Sequence, residues 1–140
     1  MKIFSTIRAF FYKLRFAGNN YLCALMEMKI KKYSEIRLRI GLDEHNTPTE
    51  IIWDADDDGK NKHACKGLLL SLFDEEKRDT VKIDLWTQTM QVNEMDRFFF
   101  QTLRGLADTY FRATKNQELA TQMQQFVQHF GEQTQILPKS

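Results

Sequence analysis

The residue types that could do chemistry in this 140-residue chain are concentrated between Asp54 and Cys65. Asp54, Asp56 and Asp58 alternate along the chain and Gly59 follows them, which matches the first half of an EF-hand calcium loop. The match then ends, because the twelfth position holds Cys65 instead of a bidentate glutamate and a predicted strand precedes the loop. The pattern therefore favours a solvated acidic loop with a turn glycine, with these three aspartates as weak metal candidates.

His63 and Cys65 stand two residues apart and could begin a zinc site or supply a nucleophile and its base. Zinc would need a second pair of ligands, and His45 and His129 are isolated in the sequence. A nucleophile pair would need a third group to orient it, and none is evident. The sequence also contains no glycine-rich phosphate loop and no G-x-S-x-G motif. We therefore expect a protein that is not an enzyme and that carries no cofactor.

Charge is distributed unevenly along the chain. The net charge is only +1, which gives no global attraction to nucleic acid. Residues 1–32 hold seven basic groups and one acidic group, a balance of +6, whereas the other residues hold thirteen basic and eighteen acidic groups, a balance of −5. The two cysteines, one in each part, form no disulfide framework and indicate a reducing compartment. No apolar run approaches the ~20 residues of a transmembrane span.

Residues 1–28 form a basic leader, for which we expect either poor structure or a helix. A helix would place a row of apolar side chains on one side, with Arg8 and Arg15 off it, as in a basic amphipathic helix on an anionic membrane surface. The row is Ile3, Phe4, Ile7, Phe10, Phe11 and Leu14. The favoured alternative is a misplaced start, since Met26 and Met28 directly precede the predicted domain.

Four segments have the patterns of β-strands. Apolar residues alternate with polar ones in residues 36–42, at Ile51 and Trp53, and in residues 81–87, which predicts strands with one buried face. Residues 67–73 (GLLLSLF) are apolar on both faces, which favours a central strand, with a helix as the alternative. Short polar loops connect the segments, and Asp43–Pro48 has the residues of a tight hairpin turn. These features predict a four-stranded antiparallel meander.

Two amphipathic helices follow the strands. Apolar side chains recur at steps of three and four in residues 92–110 and again in residues 119–130. Asn93 or a neighbour should begin the first helix, Thr114 or Asn116 should cap the second, and Gly131 should end it. We expect these two helices to form a hairpin that packs on one face of the sheet. We expect an α+β fold with one domain at residues 29–131 and a flexible tail at residues 132–140.

Three segments carry a resemblance to a known family: IDLWT at residues 83–87, VNEMDRFFFQTL at 92–103 and LADTYFRAT at 106–114. With them, residues 28–130 are similar to the GldC family of gliding-motility proteins from Bacteroidota, and the leader lies outside the similarity. The resemblance implies a small cytoplasmic accessory protein of gliding motility, a process linked to a secretion apparatus in the envelope. It supplies no catalytic residues. A genuine leader would add peripheral association with the inner membrane.

The expected binding surface is the sheet face that the helices leave open. The predicted strand phases place on it Trp86, Arg37, Arg39, Tyr33 and Ile52, which include residue types that dominate interaction hot spots. Trp86 is the main candidate; the alternative is that its ring folds over the aliphatic stems of its neighbours. A slip of one residue would exchange the two faces. We therefore predict a non-catalytic adaptor that binds a protein of the gliding or secretion machinery, alone or as a homodimer. The alternative is a small-ligand or metal-binding protein that uses the Asp54–Asp58 loop or a pocket between sheet and helices.

Overall fold

The computed structural model describes residues 30–139, so the predicted leader lies outside the described residues. Within this range the protein is α+β, as predicted, with antiparallel strands followed by two helices. The elements are β1 (Ile36–Leu42), β2 (Pro48–Ala55), a 3-10 turn (Asp56–Asp58), β3 (His63–Cys65), β4 (Gly67–Phe73), β5 (Thr80–Trp86), α1 (Val92–Thr114) and α2 (Gln117–Gln133).

The prediction of one four-stranded meander is wrong, because the strands form two sheets. One sheet has the order β1-β2-β3 and the other contains β4 and β5 alone. The chain passes from one sheet to the other at Lys66, whose carbonyl oxygen accepts a hydrogen bond from the Thr87 amide at 2.8 Å. The missed strand, β3, has only three residues inside a polar segment. Alternation cannot be recognised over so short a stretch.

By their contacts, the described residues divide into two compact units. The first unit contains residues 30–39 and 52–64, and the second contains residues 40–51 and 65–139. Strands β1 and β2 each contribute residues to both units. The second unit holds the β4–β5 pair and both helices, together with Ile51, the largest fully buried side chain among the described residues.

The turn between β1 and β2 is built around Asp43, as the sequence predicted. The Asp43 amide donates to the carbonyl of Thr47 at 3.0 Å, and the Asp43 carboxylate accepts from the amides of His45 and Thr47, each at 2.9 Å. Asn46 adopts a left-handed backbone with φ of 60°, which asparagine tolerates better than most residues. The hydrogen bonds that the Asp43 carboxylate accepts lower its pKa, with the bond from the Thr47 amide as the largest cause.

The β4–β5 ribbon is an antiparallel pair with the register Gly67–Trp86 to Phe73–Thr80. Opposed residues share a face, so three pairs form an aliphatic face: Leu68–Leu85, Leu70–Ile83 and Leu72–Val81. The other side, the Trp86 face, carries Trp86, Leu69 and Phe73 among polar residues. The prediction of a strand at Gly67–Phe73 is confirmed. Its placement at the centre of a sheet is wrong, because β4 has one partner strand.

The prediction that this ribbon buries Val81 and Ile83 is also wrong. Val81 is 53% exposed, Ile83 is 42% exposed and Leu72, opposite Val81, is 54% exposed. A packed layer would bury these three side chains almost completely. This part of the aliphatic face is therefore open.

The two helices pack on each other. Phe100 and Ala107 on α1 and Ala120 and Val127 on α2 are buried. Alanines let the two backbones approach closely, while the larger Phe100 and Val127 fill the space further along. The predicted helical hairpin is therefore present, and few side chains are buried between its two helices.

The ends of the helices follow local capping chemistry. The Glu94 carboxylate accepts from the Gln91 amide at 3.0 Å at the start of α1. Asn116 caps α2, because its side-chain oxygen accepts from the Leu119 amide at 3.1 Å. Gly131 does not end α2, which continues to Gln133. Its role is close packing, as a Cβ at this position would lie 2.8 Å from the Phe100 ring.

Candidate functional site

The Trp86 face of the ribbon carries a row of exposed apolar side chains. Trp86 is 55% exposed and Phe73 is 71% exposed, and Leu69 lies on the same face between them. Trp86 pairs with Gly67, so no opposing side chain covers the indole from across the ladder. Lys82 and Asp84 provide polar positions on this face. The register places Trp86 and Phe73 at opposite ends of this face, with Leu69 and the polar positions between them.

Helix α1 closes one end of the Trp86 face. A Cβ on Gly67 would lie 3.3 Å from the Phe98 ring and 3.5 Å from the Met90 methyl group. Gly67 and Trp86 point to the same side, so the start of α1 lies beside the row of exposed side chains. Glycine at this position allows the helix to approach the ribbon. Sequence reasoning singled out Trp86 but missed Leu69 and Phe73, although their signal was present in a strand that is apolar on both faces.

Arg37, another predicted contact residue, is engaged in ion pairs within the first unit. Its Nε donates to Asp54 at 2.7 Å, and its other nitrogens lie 3.0 Å from Glu35 and 3.3 Å from Asp56. Asp54 and Asp56 raise the pKa of Arg37, with the hydrogen bond to Asp54 as the largest cause. Asp54 is only 6% exposed, so Arg37 neutralises an almost buried carboxylate. The sequence predicted Asp54 in a solvated acidic loop, and this prediction is wrong for Asp54 because its side chain is almost buried.

The other predicted contact residues divide between the units. Tyr33 and Arg39 are exposed and Ile52 is half-buried, and all three belong to the first unit with Arg37. Four of the five predicted contact residues therefore belong to the first unit. Trp86 alone belongs to the second unit, on the Trp86 face of the ribbon.

The aspartates of the EF-hand-like loop contact other side chains of the protein. Asp54 and Asp56 contact Arg37, and Asp58 contacts the imidazole of His63. The Trp53 ring stacks on the other side of this pair, with its centroid 4.8 Å from that of His63. Within residues 30–139 no group of three or more histidine, cysteine or acidic side chains is arranged to hold a metal ion.

A polar cleft of about 690 Å³ lies at the start of β4 in the second unit. Lys66 donates to both carboxylate oxygens of Glu94 at 2.7 and 2.9 Å, which fixes the first turn of α1 beside the strand. This ion pair is the largest cause of the lowered pKa of Glu94. Arg97, Gln101 and Cys65 complete much of the lining. Burial raises the pKa of the Cys65 thiol, which keeps it protonated and poorly nucleophilic.

The helical groove is a second apolar surface, formed by the outer stripes of both helices. It consists of Phe99, Leu103, Leu106, Leu119, Met123 and Phe126. Phe126 is 55% exposed and Leu106 is 53% exposed. The opposite side of the hairpin is polar, with Arg104, Asp108 and Gln128 around Phe100. The sequence predicted this stripe as core, so its exposure is a difference from expectation.

These features define a small α+β protein with several exposed apolar surfaces. The chain belongs to the GldC-like family, because the family model described as gliding motility-associated protein GldC-like matches residues 48–136. The predicted resemblance is thereby confirmed, and the protein is associated with gliding motility. No match to the chain was found among curated proteins or among solved structures. Within residues 30–139, no helix has the length and apolarity needed to cross a membrane.

Proposed function

We propose that this chain is a non-catalytic accessory protein of gliding motility that works in the cytoplasm as an adaptor. Its Trp86 face binds a protein component of the gliding or secretion machinery. Family membership supports the process, and the exposed apolar row supports the mode of action. The exposure of Trp86, Leu69 and Phe73 on one face is the observation that carries the proposal, since a partner can remove exposed apolar surface from water.

The composition of the Trp86 face suits a binding hot spot. Large aromatic side chains remove 150–250 Å² each from water on binding, at roughly 25 cal/mol per Å². Trp86 and Phe73 are both more than half exposed before binding, so most of this gain is still available to a partner. Lys82 and Asp84 lie on the same face and would provide polar contacts that select the partner.

The first unit contributes differently. Tyr33 and Arg39 are exposed and remain proposed contacts. Arg37 is held by three acids, so its main role in this proposal is to stabilise the first unit.

The chemistry of the candidate nucleophile supports a non-catalytic role. Activation of a cysteine requires a lowered thiol pKa, usually from a nearby cation, whereas the pKa of Cys65 is raised. His63 contacts Asp58 and stacks on Trp53. Cys65 therefore lacks the environment of an activated nucleophile.

The alternative function is binding of a small ligand in the cleft beside Lys66. Its volume of about 690 Å³ falls within the range of ligand pockets. Arg97 lines this cleft and is exposed, so Arg97→Ala should impair the function under the alternative. Under the adaptor proposal the same substitution should leave partner capture unchanged.

The adaptor proposal is tested by affinity capture from cells that glide, with the captured proteins identified by mass spectrometry. Trp86→Ala and Phe73→Ala should each lose envelope-motility proteins that the wild type captures. Leu42→Ala is the matched control, because Leu42 is 53% exposed and lies on β1, outside the ribbon. Circular dichroism melts would show that each variant is folded. Retention of the same partners by a folded Trp86→Ala protein, with normal motility, would contradict the proposal.

A further inference from the structure

The aliphatic face of the ribbon and the helical groove are two uncharged apolar surfaces on one compact unit. The first consists of six aliphatic residues, and its outer members Leu72 and Val81 are more than half exposed. The second presents Leu106 and Phe126, also more than half exposed. Neither surface is covered by the described chain. A ribbon of two strands is marginally stable unless another layer covers its apolar face. A partner on the aliphatic face would therefore stabilise the ribbon, and a partner in the groove would remove its exposed side chains from water.

The two surfaces match in length and chemistry. The three aliphatic pairs extend over five residues of β4, or about 13 Å at 3.3 Å per residue step. The groove extends from Phe99 to Leu106 along α1, or about 11 Å at 1.5 Å per residue. Gln122, which is exposed, is the one polar residue that lines the pocket in the groove, and the aliphatic face carries no charge. A sheet face on a pair of helices is also a standard two-layer packing.

We infer that two copies of this chain form a two-fold dimer in which the aliphatic face of each ribbon lies in the helical groove of the other copy. A two-fold axis repeats any contact between two different patches, so one ribbon-on-groove contact generates the second. The single copy leaves both patches exposed, whereas the dimer covers both.

The area supports a second copy as the occupant. Seven of the twelve side chains are at least 40% exposed. Together they offer several hundred Å² per copy, comparable to the roughly 800 Å² per partner of a stable interface. An unrelated partner would have to supply a complement to two separate surfaces. A second copy supplies both. The two surfaces are uncharged, so the acidic character of residues 33–140, a balance of −5, opposes their contact only weakly.

This inference is independent of the proposed function, because Trp86 lies on the opposite side of the ribbon. Loss of partner capture in Trp86→Ala leaves the dimer unaffected, and loss of the dimer in an aliphatic-face variant is measured without any partner.

The test is the mass of the purified full chain in solution at micromolar concentration, measured by light scattering after size-exclusion chromatography. The wild type should have twice the chain mass, and this should persist in high salt because the contact is apolar. Ile83→Asp in the ribbon and Phe126→Asp in the groove should each give monomers. Lys82→Ala, beside Ile83 but on the Trp86 face, should remain a dimer.

Mixing the two monomeric variants distinguishes the reciprocal contact from other dimers. The Ile83→Asp chain keeps its groove and the Phe126→Asp chain keeps its ribbon, so the mixture should regain dimers with one intact contact. A monomeric wild type would overturn the inference. A dimer that survives Phe126→Asp would also overturn it, since ribbons would then pair with each other.

A crosslinking measurement covers the case in which an aspartate variant fails to fold. Ile83→Cys and Phe126→Cys are placed in one chain that also carries Cys23→Ser and Cys65→Ser, and a short bismaleimide is added. The inference predicts a covalent dimer on a denaturing gel. Linkage within a single chain would overturn it, because the ribbon would then lie on its own helices.

Discussion

At the scale of single residues, the clearest functional signal is a tryptophan on the polar side of its strand. The alternation of Val81, Ile83 and Leu85 with Lys82 and Asp84 correctly placed Trp86 on the opposite face from the aliphatic residues. Its exposure agrees with that phase. The role of Arg37 could not be predicted in the same way, since its ion pairs join residues about twenty positions apart. Periodicity within a strand gives no information on such contacts.

Arg37→Ala should lower the thermal stability of the protein much more than Arg39→Ala. The first substitution leaves the Asp54 carboxylate almost buried without its cation, which costs more than the loss of an exposed charge. Arg39 is two residues further along the same strand and is exposed, which makes it the matched control. Thermal unfolding followed by circular dichroism measures both. Equal melting temperatures for the two variants would contradict the structural role of Arg37.

Glu94 should make the stability of the protein depend on pH in the acid range. Its pKa lies below the ordinary value of 4.5, chiefly because of Lys66. A carboxylate with a lowered folded-state pKa stabilises the fold above its unfolded pKa and loses this effect as the pH falls through the folded pKa. Asp43 and Asp56 are shifted in the same direction, so the wild type should lose stability in acid.

The Glu94→Gln variant isolates the contribution of this one carboxylate. It should be less stable than the wild type at pH 7, and the difference should shrink as the pH falls to about 3. Urea unfolding at a series of pH values measures this. A constant difference across the range would show that the ion pair with Lys66 does not stabilise the fold.

At the scale of elements, local patterns predicted which segments form strands and helices, but not how these elements associate. The tight turns and helix stripes lie within about twenty residues each, and they are present as predicted. The separation into two sheets depends on which strands pair, and β3 is too short to be recognised. An apolar stripe shows that a face requires cover. It does not show whether the cover comes from the same chain, and here the stripes of the ribbon and the helices remain open.

Two glycines in the helices should respond in opposite directions to alanine. Gly131→Ala should destabilise the protein by about 1–3 kcal/mol, because the new methyl group would meet the buried Phe100 ring and the Leu137 side chain. Gly105→Ala should stabilise it by roughly 0.5–1 kcal/mol, since nothing lies within 4 Å of that position and alanine favours the helix. Urea unfolding of both variants measures the pair. Stabilisation by Gly131→Ala would refute the close approach of α2 to Phe100.

At the scale of the whole molecule, membership of the GldC-like family gives the process, and the surfaces give the proposed mode of action. The ribbon has two apolar faces with different roles in this account. The aliphatic face pairs with the helical groove of a second copy, and the Trp86 face remains available to the machinery. A small chain with a narrow core can thus be stabilised by association and still present a second surface for binding.

Partner capture by Trp86→Ala beside Leu42→Ala is the decisive measurement for the adaptor role. Both variants remove exposed apolar atoms from the second unit, but only Trp86 lies on the proposed binding face. Folded Trp86→Ala protein should lose the envelope-motility proteins that the wild type and Leu42→Ala capture. Capture of the same proteins by all three chains would contradict the adaptor role.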